Sequence, residues 1–267
     1  MEILVIGKPA VNAYLPLQDF PNEGDIFTIK ERNESVGNVA ATAACLLAKW
    51  NMNVHFAGIT GNDANGEKIR NTFSEYKINT KFLEVGFEKP TSTNTIIVNG
   101  KTGGVTKVIC NDPEFVVTRF KYDFIPDYVV MDGTDSAGAT ALLNNNGTVK
   151  TLFYASVPNH ETIANAKRCT HVICTQSYAE ALTKVQLVDN AASYIDFYQK
   201  IVDVCGSGNH IVILNNHKIL YSENSKVKML PEMKIGAADY SSFDSIFVEV
   251  NSCVFIVVSF LLLLILL

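Results

Sequence analysis

The stretch Gly37-Asn38-Val39-Ala40-Ala41-Thr42-Ala43-Ala44-Cys45-Leu46-Leu47-Ala48-Lys49 decides how this chain is read. Its apolar residues run nearly all round a helical wheel, the pattern of a helix buried on every side rather than of an amphipathic surface helix. Gly37 and Asn38 stand where the first-turn N–H groups of that helix are free, and a glycine there lets a ligand approach the backbone closely. Two readings fit these residues: a core helix with glycine as its lead-in, or a helix start that binds a ligand.

Working outward, short apolar runs alternate with helical patterns. The spacing predicts strands over Glu2–Ile6, Val54–Gly58, Tyr128–Asp132, Thr151–Ala155, His171–Cys174 and His210–Leu214. Most are near-continuous apolar runs, as strands covered on both faces must be. Between them the pattern predicts helices over Val39–Trp50, Gly66–Lys77, Ser136–Leu143, Glu161–Lys167, Tyr178–Asn190 and Ala191–Val204. This rhythm implies an α/β fold, a doubly wound and mostly parallel sheet with helices on both faces. Residues 13–35 and 91–110 break it. There, Asp25–Lys30, Thr93–Val98 and Val105–Cys110 read as strands with no helix between them, the last two joined by a hairpin at Asn99–Gly104. A small β lid on an α/β domain spanning 1–250, followed by a hydrophobic tail at 251–267, is the organisation expected.

With 48% of its 267 residues hydrophobic, the chain can bury one sizeable core. Its net charge of −5, scattered without a basic stripe, gives no electrostatic ground for binding nucleic acid. Six cysteines form no Cys-x-x-Cys pair, which disfavours structural zinc or a disulfide framework and favours reduced thiols in a cytoplasmic protein. The N-terminus has no basic region and reads as a strand, not a signal peptide. From Cys253 to Leu267 every residue but Ser259 is apolar. As a helix that run reaches about 22 Å, short of the roughly 30 Å hydrocarbon core. It reads as a buried end or an altered C-terminus, with membrane association through 253–267 as the alternative. Gly61 and Gly66 have P-loop spacing but lack the Lys-Ser/Thr that must follow, and no Gly-x-Ser-x-Gly nucleophile elbow occurs.

Taken in order, these pieces resemble the ribokinase-like (PfkB-type) carbohydrate kinase family. Ile6-Gly7 with Asn12 is similar to the family's first strand, which usually carries a sugar-binding Asp. Phe20-Pro21-Asn22-Glu23-Gly24-Asp25 resembles "LPxxGE", and Gly37–Lys49 resembles "GGxxAN/TxAxxLAxLG". His55–Asp63 with Gly66 is similar to "xxGxVGxDxxG", Pro90-Thr91-Ser92 to the second lid passage, and Pro126–Gly133 to "PDxVxxDG". The resemblance covers about residues 1–180. It implies ATP-dependent phosphorylation of a sugar hydroxyl with Mg2+, a β lid closing over the sugar, and a homodimer formed through that lid. It places Asn12, Gly37, Asn38 and Thr42 at sugar-contacting positions.

The C-terminal part departs from the family. Thr175-Gln176-Ser177-Tyr178 stands where Asn-x-x-Glu is common, and Leu214-Asn215-Asn216-His217-Lys218 replaces an "LGxxG" nucleotide loop. The resemblance therefore assigns Thr175, Leu214, Asn215 and Gly236 to the nucleotide in a changed form. In one register the "DTTGAGDxF" hallmark is taken by Asp239–Ser245, with Asp244 within it and Ser245 at the base position. In another, Gly236-Ala237-Ala238-Asp239 approximates "GAGD" with Asp239 as base. Phe243 and Asp244 would crowd the phosphate and add a repelling charge, and a serine cannot take the sugar proton as a carboxylate does. Two readings follow: a sugar kinase with a truncated or frame-shifted C-terminus, or an inactive relative that binds a sugar or a partner and is held at a membrane by its tail.

Overall fold

The computed structural model describes residues 1–230 apart from 31, 103, 119, 120, 146–148, 207, 208, 216, 217, 224 and 225; the side chains of Asn145 and Asn209 are also left aside. The described residues divide into two compact units, Met1–Gly7 with 118–230, and Lys8–Val117.

In the first unit, β1 (Glu2–Ile6), β8 (Tyr128–Met131), β9 (Lys150–Ala155), β10 (His171–Thr175), β11 (Asn209–Ile213), β12 (Ile219–Glu223) and β13 (Lys226–Leu230) lie in the order β13-β12-β11-β10-β9-β8-β1. The five strands from β1 to β11 pair in parallel, and β12 and β13 close the edge antiparallel. Parallel strands need helical crossovers, which α3 (Ser136–Asn145), α4 (His160–Ala166), α5 (Gln176–Thr183) and α6 (Ala191–Cys205) supply. Ile3, Leu4, Val129, Phe153 and Ile173 are fully buried, as the unbroken apolar runs require.

The second unit holds two sheets. One pairs β4 (Asn53–Gly61) in parallel with β5 (Asn79–Gly86), covered by α1 (Val39–Lys49) and α2 (Ala64–Glu75). The other contains β2 (Ala10–Leu17), β3 (Asn33–Gly37), β6 (Thr93–Asn99) and β7 (Val105–Cys110) in the order β3-β2-β6-β7. Here β2 runs antiparallel to β3 and parallel to β6, while β6 and β7 form the expected hairpin. Asn99 Oδ1 accepts from the N–H groups of Lys101 and Thr102, fixing that turn.

Most predicted elements stand within three residues of their place, with two exceptions. The helix expected over Tyr178–Asn190 ends at Thr183, where Lys184 takes a left-handed conformation (φ 58°). The chain then turns back, Leu187 N–H donating to the Glu180 carboxylate, and Asn190 instead caps α6 by accepting from Ser193 N–H. Asp25–Lys30 is not a strand. Its alternation finds no neighbour among the described residues, Ile26 is 94% exposed, and a local turn holds Asn22 to Asp25.

Candidate active site

In the second unit the polar residues on the buried face of the four-stranded sheet gather at one point. Strand register decides this. Asn12 of β2 lies opposite Ser35 of β3 on one side and opposite Asn94 of β6 on the other, and cross-strand partners project to the same face. Asn12 and Asn94 are 5% and 1% exposed. Asn94 Nδ2 donates both to Asn12 Oδ1 at 2.7 Å and to Asn38 Oδ1 at 3.0 Å. Asn12 Nδ2 donates to the Tyr14 hydroxyl at 3.2 Å, and Ser35 Oγ reaches the same hydroxyl at 3.4 Å. Lys107 Nζ of β7 lies 3.4 Å from Asn38 Oδ1.

Asn38 ties this cluster to the start of α1. It is the N-cap, in a positive-φ conformation (φ 68°, ψ 156°) that glycine adopts readily and other residues rarely. Such a conformation costs on the order of 1–3 kcal/mol and persists where the surroundings hold it. Here Asn38 Nδ2 donates to the Lys8 carbonyl at 2.8 Å, while Oδ1 accepts from Asn94. Its own carbonyl accepts from both the N–H and the hydroxyl of Thr42 at 3.0 Å. Gly37 is needed for space: a Cβ there would stand 2.1–2.3 Å from the amide atoms of Asn12. Asn12, Gly37 and Asn38 thus come together, with Thr42 one turn along the helix and turned toward the backbone of Asn38.

Sequence reasoning missed Asn94, Tyr14, Ser35 and Lys107. One signal was present: in Thr93–Asn99 the even positions point inward, so Asn94 sits as a polar residue in an apolar row with Ile96 and Val98.

Nearby, the start of α2 is fastened to the chain before β6. Asp63 caps α2 by accepting from Gly66 N–H at 2.8 Å, and it also accepts from the N–H and hydroxyl of Thr91 at 2.8 and 2.7 Å. Partial burial pushes the Asp63 carboxyl up, but the bonds from Thr91 and Gly66 and the Arg70 charge outweigh it, leaving the pKa below the ordinary carboxylate value. Gly66 packs so tightly on the Gly61 carbonyl that a Cβ would stand 2.2 Å from it. The glycine spacing that mimics a P-loop is therefore a packing requirement.

In the first unit, Thr175 and Leu214 lie at the carboxyl ends of the adjacent parallel strands β10 and β11, where Thr175 pairs with Ile213. Carboxyl ends of parallel strands are where α/β sheets bind ligands. Thr175 caps α5 by accepting from Tyr178 N–H at 3.3 Å. Gln176 Oε1 accepts from Asn215 N–H at 3.0 Å. An open cleft of about 210 Å³ is lined by Gln176, Leu187, Asp189, Tyr194, Leu214 and Asn215. Leu187 and Leu214 offer apolar surface and the two amides offer hydrogen bonds, which fits the nucleoside end of a nucleotide. Among the described residues no cation lines the cleft, and Asp189 disfavours phosphate there. Gly236, Asp239, Asp244 and Ser245 lie outside the described residues, as does the tail at 253–267. Among the described residues no cluster of metal-ligating side chains occurs, and no helix is long and apolar enough to cross a membrane.

Residues 2–239 match the pfkB family carbohydrate kinase. The chain belongs to that family. Its fold is that of ribokinases. It superposes on the ribokinase of Giardia lamblia with a TM-score of 0.71 and 14% identity, covering 96% of this chain and 90% of that one. The ribokinase of Cryptococcus neoformans var. grubii, solved in complex with ADP, gives 0.68 and 16%, covering 94% and 87%. The Arabidopsis thaliana ribokinase, complexed with ribose and ATP, gives 0.66 and 15%, covering 96% and 89%. No curated protein matches the chain. In this pfkB-family chain, Asn12 is one of three asparagines bonded side chain to side chain.

Proposed function

We propose that this family member transfers the γ-phosphoryl group of ATP to a hydroxyl of a neutral, polyhydroxylated sugar held at the Asn12–Asn94–Asn38 cluster. The observation that carries this is the register of β2 and β6, which places two buried amides beside a third at the start of a helix. Sugar hydroxyls both donate and accept, and amides do the same. A cluster of amides therefore suits an uncharged polyol, with the apolar floor of Ile96 and Val98 excluding water.

ATP with Mg2+ would supply the phosphoryl group and screen its charge. Thr175, Gln176, Leu214 and Asn215 are assigned to its nucleoside end, by the fit of the strand-end cleft. Gly236 and either Asp239 or the Asp244–Ser245 pair are assigned to the transferred phosphate and the base, on the family resemblance. The exposed apolar residues of β7, Val105, Val108 and Ile109 at 44%, 56% and 59% exposure, favour a homodimer through this sheet. The five described cysteines are free, in keeping with a cytoplasmic setting.

The test is direct. The purified full-length chain is incubated with Mg-ATP and a panel of pentoses, hexoses and nucleosides, and phosphorylated product is read by 31P NMR. A sugar phosphate formed from at least one neutral sugar is expected. If no panel member yields product or raises the unfolding temperature, the sugar-kinase reading fails for this chain.

A further inference from the structure

The hydrogen bonds of the amide cluster can be oriented without ambiguity. The Lys8 carbonyl can only accept, so the Asn38 atom bonded to it must be Nδ2. Asn38 Oδ1 is then the acceptor that faces Asn94, and the Asn94 atom pointing to it must be Nδ2. That same Nδ2 reaches Asn12 Oδ1, which leaves Asn12 Nδ2 for the Tyr14 hydroxyl. The chain of donors and acceptors closes with one atom left over. Asn94 Oδ1 is buried without a donor among the described residues, in a side chain that is 1% exposed. A native protein seldom leaves a buried carbonyl oxygen unmatched, because such an acceptor loses its water and gains nothing.

Asn94 cannot turn its amide over to find a partner. Doing so would set its oxygen against two other oxygens, Asn12 Oδ1 and Asn38 Oδ1. The two donated bonds therefore lock the orphaned oxygen in place as a fixed acceptor.

We propose that Asn94 is a specificity-determining residue of this kinase: its Oδ1 accepts a hydrogen bond from one hydroxyl of the sugar. The proposal deepens the sugar-kinase reading and rests on it. An acceptor that is fixed and already dehydrated discriminates well, since a ligand lacking the hydroxyl leaves it unmatched.

The test uses the sugar that the wild-type chain phosphorylates best and its single-deoxy and deoxyfluoro analogues, with binding measured by calorimetry. Fluorine cannot donate a hydrogen bond. At the hydroxyl facing Asn94 Oδ1, both analogues should therefore lose affinity equally, by about 10-fold or more. In Asn94→Ala the penalty at that one position should shrink to within about 2-fold, while penalties at other hydroxyls persist. Asn94→Leu, of similar volume, likewise lacks the acceptor and should lose the penalty at that same position. It serves as the second variant should the alanine form fail to fold.

A fluoro analogue that binds like the parent sugar at every position overturns the proposal, because the protein atom would then be a donor. So does a deoxy penalty that survives in Asn94→Ala, or an affinity indifferent to every deoxygenation, as a water-filled site would give. Those results leave the sugar-kinase reading standing. A wild-type chain that binds no sugar removes both.

Discussion

Replacing Gly37 by alanine tests the core of the site, because the structure sets both the size of the effect and its dependence on a second residue. A Cβ at position 37 would stand 2.1 Å from Asn12 Nδ2 and 2.3 Å from Asn12 Oδ1, whereas non-bonded heavy atoms settle near 3.5–4.0 Å. The backbone at Gly37 is not in the left-handed region, so the whole penalty is steric. Asn12 must swing away by more than about 1 Å, which breaks its bonds to Asn94 Nδ2 and to the Tyr14 hydroxyl. Stranding these groups in the interior costs about 1–3 kcal/mol each before relaxation. A net loss of about 2–4 kcal/mol follows, a fall in Tm of roughly 5–12 °C. Thermal unfolding of the wild type, Gly37→Ala, Asn12→Ala and the double variant completes a cycle. With Asn12 truncated the overlapping atoms are gone, and Gly37→Ala should then cost less than about 1 kcal/mol. Equal costs in the two backgrounds, to within about 0.5 kcal/mol, would show that Gly37 does not seat Asn12 and would refute the geometry on which the site is built.

Three further outcomes are expected. Gly66→Ala should destabilise the chain by about 1–3 kcal/mol in urea unfolding, because overlap with the fixed Gly61 carbonyl outweighs the gain in helix propensity of about 1 kcal/mol; a stabilised variant would contradict the packing. Asp63→Asn should lose about 1 kcal/mol at neutral pH. The folded carboxyl has a lowered pKa, so its contribution is complete above the unfolded value of about 4 and fades as pH falls below it. Wild type and variant should thus converge in acid, and a difference that stays constant with pH would show that the charge is not involved. His210 Nε2 donates to the Gly206 carbonyl, and its buried Nδ1 has no partner among the described residues. Burial lowers its pKa, so stability should decline as pH drops from about 6.5 toward the folded value. His210→Asn should flatten that slope, leaving the part due to His171, whose pKa burial also lowers; an unchanged slope would remove His210 as its source.

Sequence alone determined the elements whose signal is local. Val39–Lys49 is apolar on all sides and had to become a buried helix, and runs such as Glu2–Ile6 and His171–Thr175 had to become covered parallel strands. The order of motifs was enough to indicate the family. Only the tertiary structure decided the site. Whether Asn12 meets Asn94 depends on the register between strands 82 residues apart in sequence, and a slip of one residue would turn one of them to the other face. Nothing in the local pattern of either strand encodes that pairing. The end of α5 was likewise set by a contact, between Glu180 and the returning chain at Leu187, that helical periodicity cannot express. Periodicity reports what each segment must bury, while the partner it buries against is a property of the whole fold.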